Sequence, residues 1–469
     1  MTVKAPTAPD KLSRYIPLVF IALYAMAFFF RPLLPVDETR YLTAAWEMLL
    51  RHGWFDPLTV NFEPYHQKPP MLFWLINLSW SVFGVSRWAA MIPVGLASML
   101  SVYLTSALCR RLQPALVTRA WLVLLGMFGF LLYCTVILFD LTLSVFVLGA
   151  LLSVLAYARE RRVRYVLLLG LLLGLGVLTK GPVAWLYVVF PILLAPYWAD
   201  GNGNWKNWYF GMLAAFVVSL IPVLAWLIPV LEESSRQFGY WLVWEQTAGR
   251  ITGSYRSSHD RPFWFFVVVL PLMSLPWLFF PRFWRRLGDL KRHFADEPGL
   301  RFLLLWIVPT FVAFSLIGGK QPHYMMPLLP AVAILVAYLL RELPRRALQI
   351  TTAAMLVIII GAHAAASRSV MHLYDLRPIA QFVISNRDRD WAWVGNYHGE
   401  VNFLARLEKP VAEVDPEQLD AWLDAHPGGL AMARYERVGE LASYDILLST
   451  EYRGRMLAVI AKQGGSAAP

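Results

Sequence analysis

Residues 31–70 gather Asp37, Glu38, Arg40, Tyr41, Tyr65, His66 and Lys68 in one loop of an otherwise strongly apolar chain. Asp37, together with Asp140 further along at the same depth, offers carboxylates for general-base work or for orienting an acceptor, and Glu38 stands beside it as a further acid. Lys68, in Lys68-Pro69-Pro70, offers a cation for a phosphate. Asp140 is the only charge between two long apolar runs, and an ionisable group in that setting is functional by default. Lys180 in LTKGP and Lys320 in GGKQPHY repeat the lone-lysine situation, so the three lysines read together as an anion site. The loop WEQTAGRITGSYRSSHDRPFW adds Glu245, Arg250, Arg256, His259, Asp260 and Arg261, with enough Gly and Ser to move as a lid.

Each of these groups has a plainer reading. Asp37 or Thr39 suits the N-cap of a helix starting near Arg40. Lys68 suits a lysine reaching for the membrane interface. The later loop suits a solvated surface segment. Asp140, at the same depth as Asp37, is what tilts the reading towards chemistry.

The elements that must position these groups follow from composition. Hydrophobic residues make up 58% of the 469 and charged residues 16%, which excludes an ordinary soluble protein. Runs close to the roughly 20 residues of a spanning helix occur at 15–30, 88–108, 120–139, 141–158, 165–179, 181–199, 208–231, 262–281, 302–319, 321–340 and 347–367, about eleven in all. The first ends in Arg31-Pro32 with more spans following, so it reads as a retained helix and not a cleaved signal. Basic residues fill every second connection, for example Arg110 and Arg111, Arg159 to Arg164, and Arg282 to Arg292. By the positive-inside rule this puts the N-terminus in the cytoplasm, and the first loop, loop 232–261 and the tail outside. The net charge of +11 is mostly that signature, and with no basic face interleaved with aromatics it does not point to nucleic acid.

Stretch 71–84 is apolar but short, so it reads as a re-entrant or interfacial helix. In 39–51, Leu42, Ala45, Trp46, Leu49 and Leu50 recur at helical spacing opposite Arg40, Thr43, Glu47 and Arg51, the pattern of a helix resting in the headgroup plane. Residues 1–367 then form the membrane catalytic domain, with extracytoplasmic loops 31–87 and 232–261. After 367 the composition turns soluble: helices at 378–385 and 416–425 and strands at 391–394, 445–448 and 456–460 predict a small α/β domain over 368–469. Cys109 and Cys134 fall near opposite ends of their helices, too far apart for a disulfide.

PVDETRY, YHQKPP, the lone Asp140, LTKGP, the RITG…H..PFWFF loop and GGKQPHYMMPLLP, in that order, resemble the aminoarabinose (lipid A) transferase branch of the GT-C membrane glycosyltransferases, kin to the protein O-mannosyltransferases. The resemblance runs nearly end to end. It implies a GT-C fold and inverting transfer of a sugar from a polyprenyl-phosphate donor to a lipid A, glycolipid or glycan acceptor, in a bacterial inner membrane with the active site facing the periplasm. It further implies Asp37 and Asp140 as catalytic residues, and the neighbouring Glu38 is added to them as a candidate from the loop itself. By the same resemblance Lys68, Arg40, Tyr41, Tyr65, Arg250 and Tyr324 bind donor phosphate or substrate, and the lone-lysine reading adds Lys320 to them. Where the aminoarabinose enzymes place a glutamate and a histidine as metal ligands, this chain has Gln67 and Glu245. No tightly held zinc is therefore expected, although Glu245 with His66 or His259 could hold a weaker divalent ion.

Two readings from other classes stand beside the transferase. A transporter or flippase of lipid-linked sugars predicts charges near the bilayer midplane and internal repeats, whereas the charges here cluster at one face. A non-catalytic assembly subunit, docking through its C-terminal domain, leaves Asp37, Asp140 and Lys68 without a purpose.

Overall fold

The computed structural model describes residues 12–199, 204–249 and 260–464. Backbone amides in lipid must find partners inside the protein, which is why long apolar runs fold as helices. Among the described residues, eight helices are long and apolar enough to span a bilayer: Ser13–Phe30, Arg87–Leu112, Phe139–Glu160, Val163–Lys180, Trp205–Glu233, Pro298–Leu316, Pro322–Leu339 and Arg345–Ser369. They correspond to eight of the runs read from the sequence.

The other three runs are broken. Run 120–139 yields Val117–Gly126 and Phe128–Tyr133, separated by Met127 in an extended conformation. Run 262–281 yields Phe265–Met273 and the 3-10 turn Trp277–Phe279, with Pro271 and Pro276 removing amide donors at the break. Run 181–199 yields Val183–Leu193 and Ala195–Trp198. The first two breaks satisfy each other: Phe128 N–H donates to Leu275 O at 2.8 Å, and Trp277 Nε1 donates to Val123 O at 2.9 Å. Gly126 makes room for this, since a Cβ there would lie 2.5 Å from the Trp277 ring.

Small residues also let helices approach closely elsewhere. On Val163–Lys180, a Cβ at Gly170 or Gly174 would stand 2.6 or 2.5 Å from backbone oxygens of Ala215 and Ser219 on Trp205–Glu233. Met71–Phe83 has 13 residues, about 20 Å of helix, too short to cross a hydrocarbon layer of about 30 Å.

The chain packs into two compact units: the described parts of Met1–Ala25, Gln67–Leu72 and Met91–Ile360, and those of Met26–His66, Phe73–Ala90 and Gly361–Pro469. The second contains a five-stranded sheet, ordered β4 (Ala412–Val414), β3 (Trp391–Val394), β5 (Leu430–Tyr435), β7 (Arg455–Lys462) and β6 (Tyr444–Tyr452). β3 runs parallel to β4 and β5, while β7 runs antiparallel to β5 and β6. Alternation sends Trp391, Trp393, Met432, Leu457 and Val459 to one face with Ile379, Ala380 and Val383 of helix Arg377–Ser385. The other face packs Ala392, Ala431, Ala433 and Ile460 on Leu419 and Leu423 of helix Leu419–Ala425.

The first loop as far as His66 belongs to the same unit, and here one expectation is corrected. Helix Asp37–Arg51 forms as expected, but Thr43 and Glu47 are fully buried instead of lying on a wet face. Thr43 Oγ1 donates to Gly399 O at 2.7 Å and accepts from Phe403 N–H at 3.3 Å. Glu47 accepts from Thr59 Oγ1 at 2.6 Å and Phe62 N–H at 2.9 Å. The polar stripe that looked solvated is thus bonded to the tail domain and to the hairpin of β1 (Thr59–Val60) and β2 (Glu63–Pro64). Asn61, with φ 57° in that hairpin turn, clamps the tail by exchanging hydrogen bonds with Val411, both at 2.8 Å.

Candidate active site

The candidate groups fall into two sets, one in each unit. In the second unit, Asp37 begins helix Asp37–Arg51, so Arg40 and Tyr41 lie one turn on, over the same face. Asp37 Oδ1 accepts from Arg40 Nη2 at 2.6 Å and from Tyr41 Oη at 3.2 Å. Its side chain is still 48% exposed, while that of Arg40 is 17% exposed. Burial works against the Arg40 charge, yet Tyr65, Tyr41 and Asp37 together hold its pKa above the ordinary value. Burial pushes the Tyr41 phenol up, and Asp37 adds to the shift, so this hydroxyl keeps its proton and donates. Tyr41 also packs edge-on against Phe73, with centroids 6.4 Å apart. Tyr65 is buried after the hairpin.

Glu38 is placed differently. It is fully buried, and its two oxygens pair with the guanidinium of Arg31. Leu34 N–H donates to the same carboxylate at 2.8 Å. Such a pair fastens the 31–38 turn that presents Asp37, while offering no oxygen to a substrate. His66 is half-buried at the end of this segment.

In the first unit, Asp140 sits in the first turn of Phe139–Glu160, and Lys180 in the last turn of Val163–Lys180, each at the helix end whose dipole favours its charge. They form a buried ion pair. His323 Nε2 lies 3.8 Å from the other Asp140 oxygen, and Lys180 Nζ lies 4.0 Å from the Tyr324 ring centroid. Tyr324 is fixed from behind by Tyr187, whose hydroxyl donates to its carbonyl at 2.5 Å. Lys68 Nζ stands 5.8 Å from the ring of Phe139, the neighbour of Asp140. Gly181, at φ 79°, ends the Lys180 helix in a conformation that side chains avoid.

The idea of three equivalent anion-binding lysines changes here. Lys180 is committed to Asp140. Lys320 is buried, with its ammonium donating to Arg261 O at 2.8 Å and Gly318 O at 3.5 Å, and burial lowers its pKa. Its charge braces two backbone segments. His323 was missed as a partner for Asp140, although it lies inside the GGKQPHY turn. Pairing lone opposite charges at matched helix ends was the signal that would have joined Asp140 to Lys180. Arg250, Arg256 and His259 lie outside the described residues. Glu245 is half-buried in the π-helical stretch Trp241–Gly249. Among the described residues no three His, Cys, Asp or Glu side chains gather as a metal-holding set.

The sequence model of the dolichyl-phosphate-mannose-protein mannosyltransferase family matches residues 67–226. An undecaprenyl phosphate-alpha-4-amino-4-deoxy-L-arabinose arabinosyl transferase 2 of Pseudomonas fluorescens is 30% identical over 335 residues, covering 69% of this chain and 58% of that protein. The corresponding transferase of Pseudomonas paraeruginosa is 33% identical over 323 residues, covering 66% and 56%. The chain thus spans somewhat more than half the length of these relatives. In fold it is similar to crystalline ArnT from Cupriavidus metallidurans bound to undecaprenyl phosphate, with a TM-score of 0.80 at 17% identity, covering 99% and 100% of the two chains. The oligosaccharyltransferase of Archaeoglobus fulgidus gives a TM-score of 0.54 at 14% identity, covering 89% and 68%. In fold the chain is therefore a polytopic membrane protein of the GT-C type, and in sequence it is similar to the aminoarabinose transferases.

Proposed function

We propose that this protein is a glycosyltransferase that moves a sugar from a polyprenyl-phosphate donor to a cell-envelope acceptor, lipid A or a related glycolipid, with inversion. The observation that carries the reading is Asp37: a carboxylate held by Arg40 and Tyr41 yet half open to its surroundings. A purely structural acid would be sealed, as Glu38 is. In the proposal an acceptor oxygen attacks the anomeric carbon as its bond to the donor phosphate breaks, releasing polyprenyl phosphate. Lys68, with Arg250 as its companion, balances the charge that grows on the leaving phosphate. Tyr324 lines the donor pocket, and the Asp140–Lys180 pair fixes the Tyr324 side of it. Asp37 takes the proton of a hydroxyl acceptor, or orients a phosphate acceptor that is already ionised. No step is routed through a metal.

The relatives' names indicate the donor to try first, undecaprenyl phosphate carrying 4-amino-4-deoxy-L-arabinose. The proposal places the protein in a bacterial inner membrane, with 1–367 as the catalytic membrane part and 368–469 as a periplasmic domain. The test is reconstitution of the full chain in nanodiscs with that donor and lipid A, read by mass spectrometry of the lipids. Transfer that collapses in Asp37→Asn supports the reading. Absence of sugar transfer by the wild type to lipid A or to envelope glycolipid extracts refutes it.

A further inference from the structure

The second unit holds a basic cluster that the catalytic residues do not account for. Its floor is the loop between β3 and helix Asn402–Ala405. Thr43 Oγ1 bonds Gly399 O at 2.7 Å, and Gly399, at φ 75°, comes so close that a Cβ would stand 2.9 Å from Thr43 Cγ2. This seats the exposed His398 beside the helix turn that carries Arg40. Arg434 on β5 lies over two rings, 5.5 Å from Tyr452 and 5.8 Å from Trp393. Stacking of that kind leaves the N–H edge of a guanidinium free to bind an anion. Arg453, in the β6–β7 turn, is exposed and is tied to the fold by its backbone N–H, which donates to Leu373 O at 2.8 Å.

Among the described residues neither Arg434 nor Arg453 closes an ion pair with a carboxylate. The acid at the base of the cluster, Glu400, is 1% exposed. Its Oε2 accepts from His398 N–H at 2.7 Å, while its buried Oε1 has no partner. Burial raises the Glu400 pKa, which favours a form able to donate a proton in a hydrogen bond. At His398, burial and then Arg40, Arg453 and Arg434 lower the imidazole pKa, with Asp37 opposing. The local potential is therefore positive, with guanidinium forks at its rim and an unspent buried carboxyl at its base. That combination fits a phosphate group.

We propose that Arg434, Arg453 and His398, over Glu400, form a binding site for the phosphate monoester of a saccharide headgroup, and that this headgroup is the acceptor. The binding stands on the cluster alone; its assignment to the acceptor rests on the transferase reading above. The test uses the full chain in nanodiscs with isotope-labelled histidine, titrated with glucosamine 1-phosphate. Saturable binding should raise the His398 pKa, because an anion offsets Arg40, Arg434 and Arg453. Arg434→Gln with Arg453→Gln should weaken binding at least tenfold, and inorganic phosphate should bind more weakly than the sugar phosphate. No saturable shift, an unchanged affinity in the double variant, or equal affinity for inorganic phosphate overturns the site. Arg453→Gln alone, in an exposed turn, serves if the double variant does not fold. In turnover, the double variant should raise the acceptor KM at least tenfold with the donor KM unchanged. A wild type that binds the sugar phosphate but transfers nothing would sink the transferase reading and leave the site standing.

Discussion

Removing one member of the Asp140–Lys180 pair should cost far more than removing both. The side chains are 3% and 10% exposed, so neither charge has water to fall back on. Breaking a buried pair from one side typically costs about 3–5 kcal/mol, whereas replacing both partners by neutral groups of similar volume is often neutral. In Lys180→Met the stranded carboxylate retains His323, 3.8 Å away, as its basic neighbour among the described residues, which places that variant near the lower end, about 3 kcal/mol. In Asp140→Asn the ammonium retains the face of Tyr324 at 4.0 Å, worth about 2 kcal/mol when desolvated. The double variant Asp140→Asn with Lys180→Met should fall within about 1–2 kcal/mol of wild type, giving a coupling energy of roughly 2–3 kcal/mol or more. Reversible unfolding of the four proteins in mixed micelles at pH 7 measures the cycle. Strictly additive losses, or single variants within about 1 kcal/mol of wild type, would refute the argument that this pair is desolvated and mutually dependent.

Three further outcomes follow from the geometry. Lys68→Ala should lower turnover roughly 100-fold or more, the typical loss of one well-placed charge-stabilising donor, measured on the reconstituted protein under saturating donor; near-normal turnover removes Lys68 from the mechanism. Glu47→Gln should be neutral to stabilising at pH 7, because burial raises the pKa of a carboxyl whose Oε1 lacks a partner. The native state binds the Glu47 proton more readily than the unfolded chain does, so this group's contribution to stability falls as pH rises from the ordinary carboxylate value through the raised folded value. The two proteins should therefore converge in thermal stability on acidification, and a gap that widens instead contradicts the burial cost. Gly174→Leu should destabilise by about 1–3 kcal/mol or prevent folding, since its Cβ would meet the Ser219 carbonyl oxygen at 2.5 Å; wild-type stability in that variant would contradict the close helix approach.

The membrane part of the fold was legible because lipid imposes a single rule on every apolar run, and run length reports it directly. Breaks within runs were harder to see. Pro271 and Pro276 carry a local signal, but the end of Val117–Gly126 depends on Trp277, far away in sequence. In the tail domain, Trp391–Val394 announced itself through its aromatic and β-branched residues, while Leu430–Tyr435 did not. LAMARY has weak strand propensity and becomes a central strand only because β3 and β7 flank it. The stripe of Thr43 and Glu47 read as solvated because helical periodicity separates polar from apolar without saying what covers the polar side. At the site, residue types flagged Asp37, Lys68 and Asp140, whereas Glu38 was indistinguishable from Asp37 until Arg31 appeared beside it. The pairing of Asp140 with Lys180 joins positions 40 residues apart, a separation that no local pattern encodes.

The reciprocal bonds at Phe128 and Trp277 bear on how the protein is made. A segment that enters the bilayer with an unpaired amide or carbonyl is poorly tolerated by hydrocarbon until its complement arrives. The stretch around Met127 is synthesised some 150 residues before the one around Leu275, so it must be sheltered by water, by the insertion machinery or by neighbouring helices in the interval. Its final docking is then a late event in biogenesis. Truncations that stop short of Leu275 should leave a nascent chain with its third apolar run exposed to membrane quality control.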